Sequence, residues 1–156
     1  MKTEHLIDPL QFAYRAKRSV QDATITLLDL VYKHLDRNKT HARLFVDFSS
    51  AFNTIQPHLL VQVLVDHFHV EPSMVGWILD FLTNRTQRVR VNGSLSSELS
   101  VSTGSPQGCV LSPLLYILYT DSCRSLHSDR HIVKFADDSV IVSGRKSVTA
   151  LLSMTL

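Results

Sequence analysis

The stretch KFADDSVIVSG, Lys134 to Gly144, sets two adjacent aspartates between two runs of strand-forming residues. Apolar residues flank the pair at 132, 133 and 135 and at 140–142, and a polar pair between such runs is typical of a hairpin turn. The carboxylates of Asp137 and Asp138 would repel each other at the tip and add nothing to a core. Asp-Asp is also common turn chemistry, because both residues tolerate turn conformations. The stretch therefore predicts an antiparallel hairpin and leaves open whether its acidic tip is a turn or a site.

A third aspartate closes a strand elsewhere in the chain. The segment ARLFVDFS, residues 42–49, is a short apolar run rich in strand formers, and Asp47 is its only charge after Arg43. If this strand neighbours the hairpin, the three carboxylates converge at one edge of a sheet, where a divalent cation would relieve their repulsion. Mg²⁺ takes oxygen ligands, typically one or two carboxylates plus substrate phosphates, so it fits better than zinc. Spacing alone does not decide, since a long stretch of chain separates Asp47 from the hairpin.

Helical patterns recur between these strands. Ser19 is the predicted N-cap of a helix that runs to about Asp36, and Pro57 is the predicted first residue of a helix to about His69. Further helices are predicted over Met74–Leu82 with Ser73 as cap, from Ser112 to about Leu126, and from Ser147 onward. The segment TQRVRVNGSLSSELSVS, residues 86–102, predicts a second hairpin with its turn at Asn-Gly. Interleaved helices and hairpins indicate an α+β fold, with helices packed on a partly antiparallel sheet.

Composition limits the class of protein. The chain has 156 residues and is 44% hydrophobic, which is enough for one domain with a sizeable core. A formal net charge of +2 permits a nucleic-acid partner without arguing for one. The opening MKTEHLIDPL carries charges where a signal peptide would be apolar, and PLLYILY, residues 113–119, is too short to cross a bilayer. We therefore expect an intracellular protein, in the nucleus or cytoplasm, with no membrane partner.

Five segments carry a resemblance to a known family. In chain order they are QFAYRAKRSVQDA (11–23), LFVDFSSAFNTI (44–55), FLTNRTQRVRVNG (81–93), GSPQGCVLSPLLYILYTD (104–121) and FADD (135–138). The second, fourth and fifth resemble blocks A, B and C of the reverse transcriptase palm in non-LTR (LINE-type) retrotransposons. The first and third resemble the family's blocks before A and between A and B. The resemblance implies a polymerase palm, with an RNA template, a DNA primer and deoxynucleoside triphosphates as partners.

The resemblance also implies roles for residues in blocks A and C. Asp47, Asp137 and Asp138 would be the catalytic carboxylates, holding two Mg²⁺ ions (Mn²⁺ is possible), with Asp138 the most peripheral. The backbone carbonyl of Phe48 would complete the shell of one metal. Phe52 would close against the sugar of the incoming nucleotide, where a bulky ring clashes with a 2′-hydroxyl and selects deoxynucleotides.

Substrate contacts are implied for the loop of block B and for the acidic hairpin. Gln107 and Gly108 would contact the incoming nucleotide and the template side, and Ala136 would lie near the growing end of the primer. Gly104 and Gly108 suit a backbone that must approach a ligand closely. Four arginines are candidates for phosphate contacts: Arg15, Arg18, Arg88 and Arg90. Alternating arginines on a strand, however, more often form a solvated face.

Two hypotheses about function stay open. In the first, the chain is the core of an RNA-directed DNA polymerase that performs two-metal nucleotidyl transfer to a primer 3′-hydroxyl. In the second, it is a non-catalytic relic of a retrotransposon and at most a weak nucleic-acid binding module. By the resemblance, residues 1–40 form a helical segment at the junction of fingers and palm, and residues 41–156 form the palm core. Most of the fingers and all of the thumb are expected to be absent, so we expect truncation at both ends and an inactive fragment.

Overall fold

The computed structural model describes residues 4–38, 42–48 and 50–143. The helices are α1 (Val20–Asn38), α2 (Pro57–Asp66), α3 (Pro72–Leu82) and α4 (Leu111–Tyr119). The strands are β1 (Ala42–Asp47), β2 (Arg85–Gln87), β3 (Arg90–Val91), β4 (Ser94–Leu95), β5 (Leu99–Val101), β6 (Arg130–Phe135) and β7 (Asp138–Ser143), and 3₁₀ turns lie at Glu4–Leu6 and Ala51–Asn53. The predicted α+β class with antiparallel sheet is confirmed.

The described residues form two compact units. The first comprises Met1–Ser49 and Thr120–Leu156, and the second comprises Ser50–Tyr119. The first unit contains α1 and the sheet of β1, β7 and β6, and the second contains the remaining helices and the short strands β2 to β5. The prediction that residues 1–40 belong to a junction between fingers and palm stays a prediction.

The sheet of the first unit has the strand order β1-β7-β6, with both neighbouring pairs antiparallel. The predicted hairpin is confirmed, and its tip is one residue earlier than the Asp-Asp pair. Phe135 pairs with Asp138, so Ala136 and Asp137 are the two turn residues and Asp138 is the first residue of β7. Ala136 has a φ of 57°. A positive φ at the first position of a two-residue loop matches the twist of the flanking strands, which is why the turn takes this register.

Alternation along the strands divides this sheet into two apolar faces. On one face, Val133 packs with Phe12 and with Ala23 of α1. On the other, Ile132 of β6 packs with Ile141 of β7, and both are buried. Successive residues of a strand point to opposite faces, so β6 contributes to both clusters. The sheet is therefore covered by α1 on one side and buries a second cluster on the other.

Helix α1 begins where the sequence predicts. The backbone N–H of Ser19 donates to Asp22 Oδ2 at 2.8 Å, and the backbone N–H of Asp22 donates to Ser19 Oγ at 3.2 Å. This reciprocal capping box satisfies backbone donors that have no partner within the helix. Hydrogen bonds from the side chain and backbone of Ser19 hold the pKa of the Asp22 carboxyl below its usual value.

In the second unit, α2 packs against α3 and α4. Its core includes the fully buried Leu60 and Leu64. The second predicted hairpin forms as two short ladders, β2 with β5 and β3 with β4, around the turn at 92–93. Helix α3 begins at Pro72 with Glu71 as N-cap, so the predicted cap at Ser73 is wrong. Proline is well suited to the first turn of a helix, where no partner for its missing N–H is needed.

Two further helix predictions need correction or lie outside the described residues. Helix α4 ends at Tyr119 and does not continue to Leu126. The carbonyls of Thr120 and Cys123 accept hydrogen bonds from the Lys134 ammonium, at 3.3 and 3.0 Å, and this use of the backbone replaces a further helical turn. The helix predicted from Ser147 lies outside the residues that the structure describes. No helix in the described part of the chain is long and apolar enough to cross a membrane.

Candidate functional site

The acidic residues of the predicted site come together in the first unit. Asp47, the last residue of β1, lies directly opposite Asp138, the first residue of β7. Directly opposed residues in an antiparallel pair share one face, and their Cβ atoms are typically about 4.5–5.5 Å apart. Asp137 is the preceding residue, in the turn. Asp47 and Asp138 are exposed and Asp137 is half-buried, so solvent can reach all three.

The turn that carries Asp137 has an unfavourable backbone conformation. Ala136 adopts a left-handed φ of 57°, although its Cβ disfavours that region. Such strain typically costs about 1–3 kcal/mol and persists only where the surrounding structure imposes it. Here the ladders on both sides impose it, since β7 pairs with β1 and with β6 along its whole length. Strand pairing in the sheet therefore holds the turn in a backbone conformation that Ala136 itself disfavours.

The donors at this edge suit a hard divalent cation. Asp47 and Asp138 face each other, and carboxylate oxygens are the ligands that Mg²⁺ prefers. Within residues 4–38, 42–48 and 50–143, no group of three or more His, Cys, Asp or Glu side chains is arranged to hold a metal. Mg²⁺ usually takes only one or two protein carboxylates and completes its shell with water and substrate phosphates. The chemistry of the facing pair therefore suits Mg²⁺, while the metal roles of Asp47, Asp137, Asp138 and the Phe48 carbonyl stay predictions.

In the second unit, Phe52 sits in the 3₁₀ turn Ala51–Asn53. Its half-buried ring packs against Tyr116 of α4, with ring centroids 5.4 Å apart. The Phe52 carbonyl accepts a hydrogen bond from the backbone N–H of Ser105 at 2.9 Å, and Gln107 Nε2 lies 3.5 Å from Asn53 Oδ1. The structure thus brings together the two predicted nucleotide contacts, Phe52 and the loop of Gln107. Sequence reasoning did not identify Tyr116 as the support of this ring.

Two glycines of that loop have different environments. Gly104 has a φ of +77°, and a Cβ there would lie 2.7 Å from Asn53 Cα. Its N–H donates to the Ile55 carbonyl at 2.6 Å, so the close approach that the sequence predicts is to the chain's own backbone. Gly108 has a φ of +81° and open space around the Cβ position. The role of Gly108 beside a ligand stays a prediction, whereas Gly104 lies where two segments of the backbone approach each other closely.

Three of the four candidate arginines already have partners. Arg15 donates to the carbonyls of Asp8 and Gln11, and the Arg18 guanidinium lies 5.2 Å from the centroid of the Phe12 ring. Arg88 and Glu98 form an exposed ion pair. Arg90 is exposed on β3. Phosphate binding by these side chains stays a prediction, and Arg15 has a structural use that the sequence did not indicate.

A buried ionic network beside the hairpin was missed by the sequence analysis. Lys134 is 2% exposed and pairs with Asp8, which is 5% exposed. A lysine inside the apolar run IVKF was a usable signal, because lysine is almost never fully buried unless it is paired. Its partner was not predictable, since Asp8 lies in a segment far away in sequence.

Comparisons with known proteins give the family context. The family described as "Reverse transcriptase (RNA-dependent DNA polymerase)" matches residues 1–155. "Probable RNA-directed DNA polymerase from transposon X-element" of Drosophila melanogaster is 28% identical over 142 residues, 88% of this chain and 15% of that protein. "RNA-directed DNA polymerase from mobile element jockey" of the same species is 25% identical over 155 residues, 94% of this chain and 17% of that protein. The chain therefore spans less than a fifth of these relatives.

Solved structures confirm the predicted polymerase palm as the fold. Apo telomerase from Candida tropicalis, truncated from its C-terminal domain, matches 86% of this chain and 30% of its own, with a TM-score of 0.64 and 16% identity. Telomerase from the same organism in complex with a fragment of telomeric RNA gives a TM-score of 0.64 at 13% identity, over 86% of this chain and 26% of that one. At this identity the likeness concerns the fold alone.

Proposed function

The chain belongs to the reverse transcriptase (RNA-dependent DNA polymerase) family, and we propose that it is the palm segment that carries the metal-binding edge of an RNA-directed DNA polymerase. The observation that carries this proposal is the register that sets Asp47 opposite Asp138, next to the turn residue Asp137. Two facing carboxylates repel each other and do not stabilise the fold. A bound cation would relieve this repulsion, which supports a role for the pair in binding one.

Each acidic residue has a part in the proposed chemistry. Asp47, Asp137 and Asp138 all offer carboxylates to divalent cations at this edge, Asp47 and Asp138 from opposite positions on two strands and Asp137 from the turn. Two Mg²⁺ ions, when bound, supply activation of the primer 3′-hydroxyl and stabilisation of the leaving pyrophosphate. The protein groups chiefly position charge, which is where most of the catalysis of phosphoryl transfer arises. Mn²⁺ has similar preferences for oxygen ligands and would substitute.

The second unit supplies the proposed contacts to the nucleotide. The ring of Phe52 excludes a 2′-hydroxyl, and its packing against the Tyr116 ring, with centroids 5.4 Å apart, supports this placement. Gln107 contacts the incoming nucleotide, and Gly108 lets the backbone approach it because no side chain fills that space. Ala136 lies near the primer terminus. The proposed partners are an RNA template, a DNA primer and deoxynucleoside triphosphates, by analogy with the RNA-directed DNA polymerases named above.

Metal binding by the 156-residue chain tests the acidic edge. Mn²⁺ is titrated into the wild type, Asp47→Asn, Asp138→Asn and the control Asp36→Asn, which changes an exposed aspartate of α1. We expect saturable binding to the wild type and the control, and affinity at least about tenfold weaker in the other two variants, since each loses a ligand of the ion. Equal affinity in all four proteins would contradict the proposal.

Primer extension tests the activity. In a full-length polymerase that contains this segment, Asp137→Asn is expected to abolish extension on an RNA template and to leave the fold intact. Asp80→Asn, at an exposed position of α3, is the control and should extend normally. Extension by Asp137→Asn above about a tenth of the wild-type rate, where a lost metal carboxylate should cost far more, would exclude the proposed metal role.

A further inference from the structure

We propose that the buried Asp8–Lys134 ion pair is a positioning device, which fixes the end of β6 and thereby the turn that carries Asp137. Both residues belong to the first unit. The consequence for metal binding rests on the function proposed above, whereas the effect on the turn does not.

The Lys134 ammonium has a complete set of acceptors. Its Nζ lies 2.9 Å from Asp8 Oδ2 and donates to the carbonyls of Thr120 and Cys123 at 3.3 and 3.0 Å. An ammonium has three donors, so each of its hydrogens has one of these acceptors. Because the side chain is only 3% exposed, water does not compete with them. If β6 moved, this buried ammonium would lose hydrogen-bond acceptors at a cost in free energy. The contacts therefore favour a single position of the strand.

Asp8 also has several hydrogen-bond partners. Its Oδ1 accepts the backbone N–H of Leu10 at 2.9 Å, and its own N–H donates to Asp121 Oδ1 at 2.7 Å. Asp121, 2% exposed, is bound by the guanidinium of Arg124, which also donates to the Leu6 carbonyl at 2.9 Å. The N-terminal segment, the loop after α4 and β6 are therefore joined by one network of charge-assisted hydrogen bonds.

The backbone of Lys134 is anchored at the same place. Its N–H donates to the Leu10 carbonyl and its carbonyl accepts the N–H of Phe12, both at 2.9 Å, on the edge of β6 away from β7. Lys134 is thus fixed by its side chain and by both of its backbone groups on that edge, while β7 pairs with the opposite edge of β6. The strained Ala136 follows two residues later. A left-handed alanine persists only where its neighbours impose it, so loosening Lys134 should release the turn first.

Amide hydrogen exchange tests this inference without any metal. The 156-residue chain is compared with Lys134→Met, Asp8→Asn and the control Val31→Ala, which opens a cavity under α1, outside the network. All are measured where circular dichroism shows them folded and sedimentation shows them monomeric. We expect the amides of residues 135–138 to exchange about tenfold faster in the two network variants than in the control. The reason is that the turn would then open locally, without unfolding of the whole domain. Exchange there no faster than in Val31→Ala would overturn the inference.

Mn²⁺ affinity separates positioning from simple electrostatics. Lys134→Met removes a positive charge and Asp8→Asn a negative one, so a purely coulombic effect would tighten Mn²⁺ binding in the first and weaken it in the second. Positioning predicts weaker binding in both, by about tenfold, as is common when a residue that orients a metal ligand is lost. Opposite shifts, or affinities equal to that of Val31→Ala, would contradict a positioning role. If the wild type itself binds no Mn²⁺, the proposed metal site fails, and the exchange of the turn amides still decides the inference.

Discussion

Asp47 and Asp138 are opposed residues of neighbouring antiparallel strands, and both are exposed. Like charges directly opposite each other destabilise a sheet, typically by about 0.2–1 kcal/mol. Asp138→Asn should therefore raise the free energy of unfolding by about that amount in the absence of divalent cations. Urea unfolding at low and high salt measures it, and the gain should shrink as salt screens the pair. Asp36→Asn is the control. A variant less stable than the wild type at low salt would show that the pair is not repulsive.

Gly104 should tolerate alanine poorly. An added Cβ would lie 2.7 Å from Asn53 Cα and 3.0 Å from the Phe52 carbonyl oxygen, and the φ of +77° is unfavourable for alanine. The left-handed conformation and the overpacking together predict a loss of about 2–4 kcal/mol in the free energy of unfolding. Gly76→Ala is the matched control, since it lies in α3 with no atom within 4 Å of the Cβ position. Alanine there should stabilise by about 0.5–1 kcal/mol. Equal stabilities of the two variants would disprove the close contact.

The stability of the first unit should fall below about pH 6.5 because of His131. Burial, and then the neighbouring His34 with its ring centroid 5.8 Å away, lowers the pKa of His131, and Asp129 opposes this in part. Since the pKa is lower in the folded state, the unfolded chain takes up the proton first as pH falls. The contribution is complete above the unfolded pKa and is lost between that value and the lower folded one. Urea midpoints from pH 7.5 to 5 measure the loss.

His131→Gln is expected to flatten that pH dependence, since the glutamine does not titrate. His58→Gln, at an exposed position of α2, should leave the curve unchanged and serves as the control. A His131→Gln curve parallel to that of the wild type would assign the acid sensitivity to other groups.

Phe52→Ala should admit ribonucleotides in a full-length polymerase that contains this segment. The ring rests on Tyr116, so it occupies a fixed place, and its removal opens space for a 2′-hydroxyl. One steric clash can supply a large discrimination ratio, because specificity is a difference between two affinities. Incorporation of ribo- against deoxynucleotides measures this ratio. Phe81→Ala, on the stacked pair with Trp77, is the control. If the ratio of ribo- to deoxynucleotide incorporation is unchanged in Phe52→Ala, the ring serves only in packing.

The sequence predicted the local elements of the fold better than their connections. Strand β1 and the capped start of α1 follow from apolar runs and from Ser19, which are local signals. The glycine at 104 signalled a backbone that approaches another group closely, but only the structure shows that this group is the backbone of Asn53. The end of α4 was misplaced because the carbonyls that follow it bind Lys134, a long-range contact.

In the candidate site, too, the sequence predicted the residues better than their pairing. The acidic residues were recognisable from their blocks, whereas the register that opposes Asp47 to Asp138 depends on strand pairing between distant segments. Pairing of this kind is selected by the whole sheet, since a slip of one residue would turn every side chain to the other face. The Asp8–Lys134 pair was unpredictable for a related reason, because one partner lies in a segment without regular structure.

The 156-residue chain on its own should extend no primer. It spans 15% and 17% of the two Drosophila relatives, and catalysis of phosphoryl transfer depends on positioning both substrates. An assay with an RNA template, a DNA primer, deoxynucleoside triphosphates and Mg²⁺ tests this expectation. Extension that is abolished by Asp47→Asn would show that the segment alone positions its substrates.

The same chain should also self-associate through the outer edge of its three-stranded sheet. β1 is one of the two edge strands, no strand in the described part of the chain pairs with its free edge, and Phe45 on it is 68% exposed. An unpaired edge with an exposed aromatic ring is a template for pairing with a second copy, and a lysine on an edge strand prevents such pairing. Phe45→Lys should therefore shift sedimentation toward the monomer. Leu99→Lys, at a 63% exposed position of β5, removes a similar apolar side chain from the other unit. If both variants reduce association equally, general surface hydrophobicity is the cause and the edge of β1 is not.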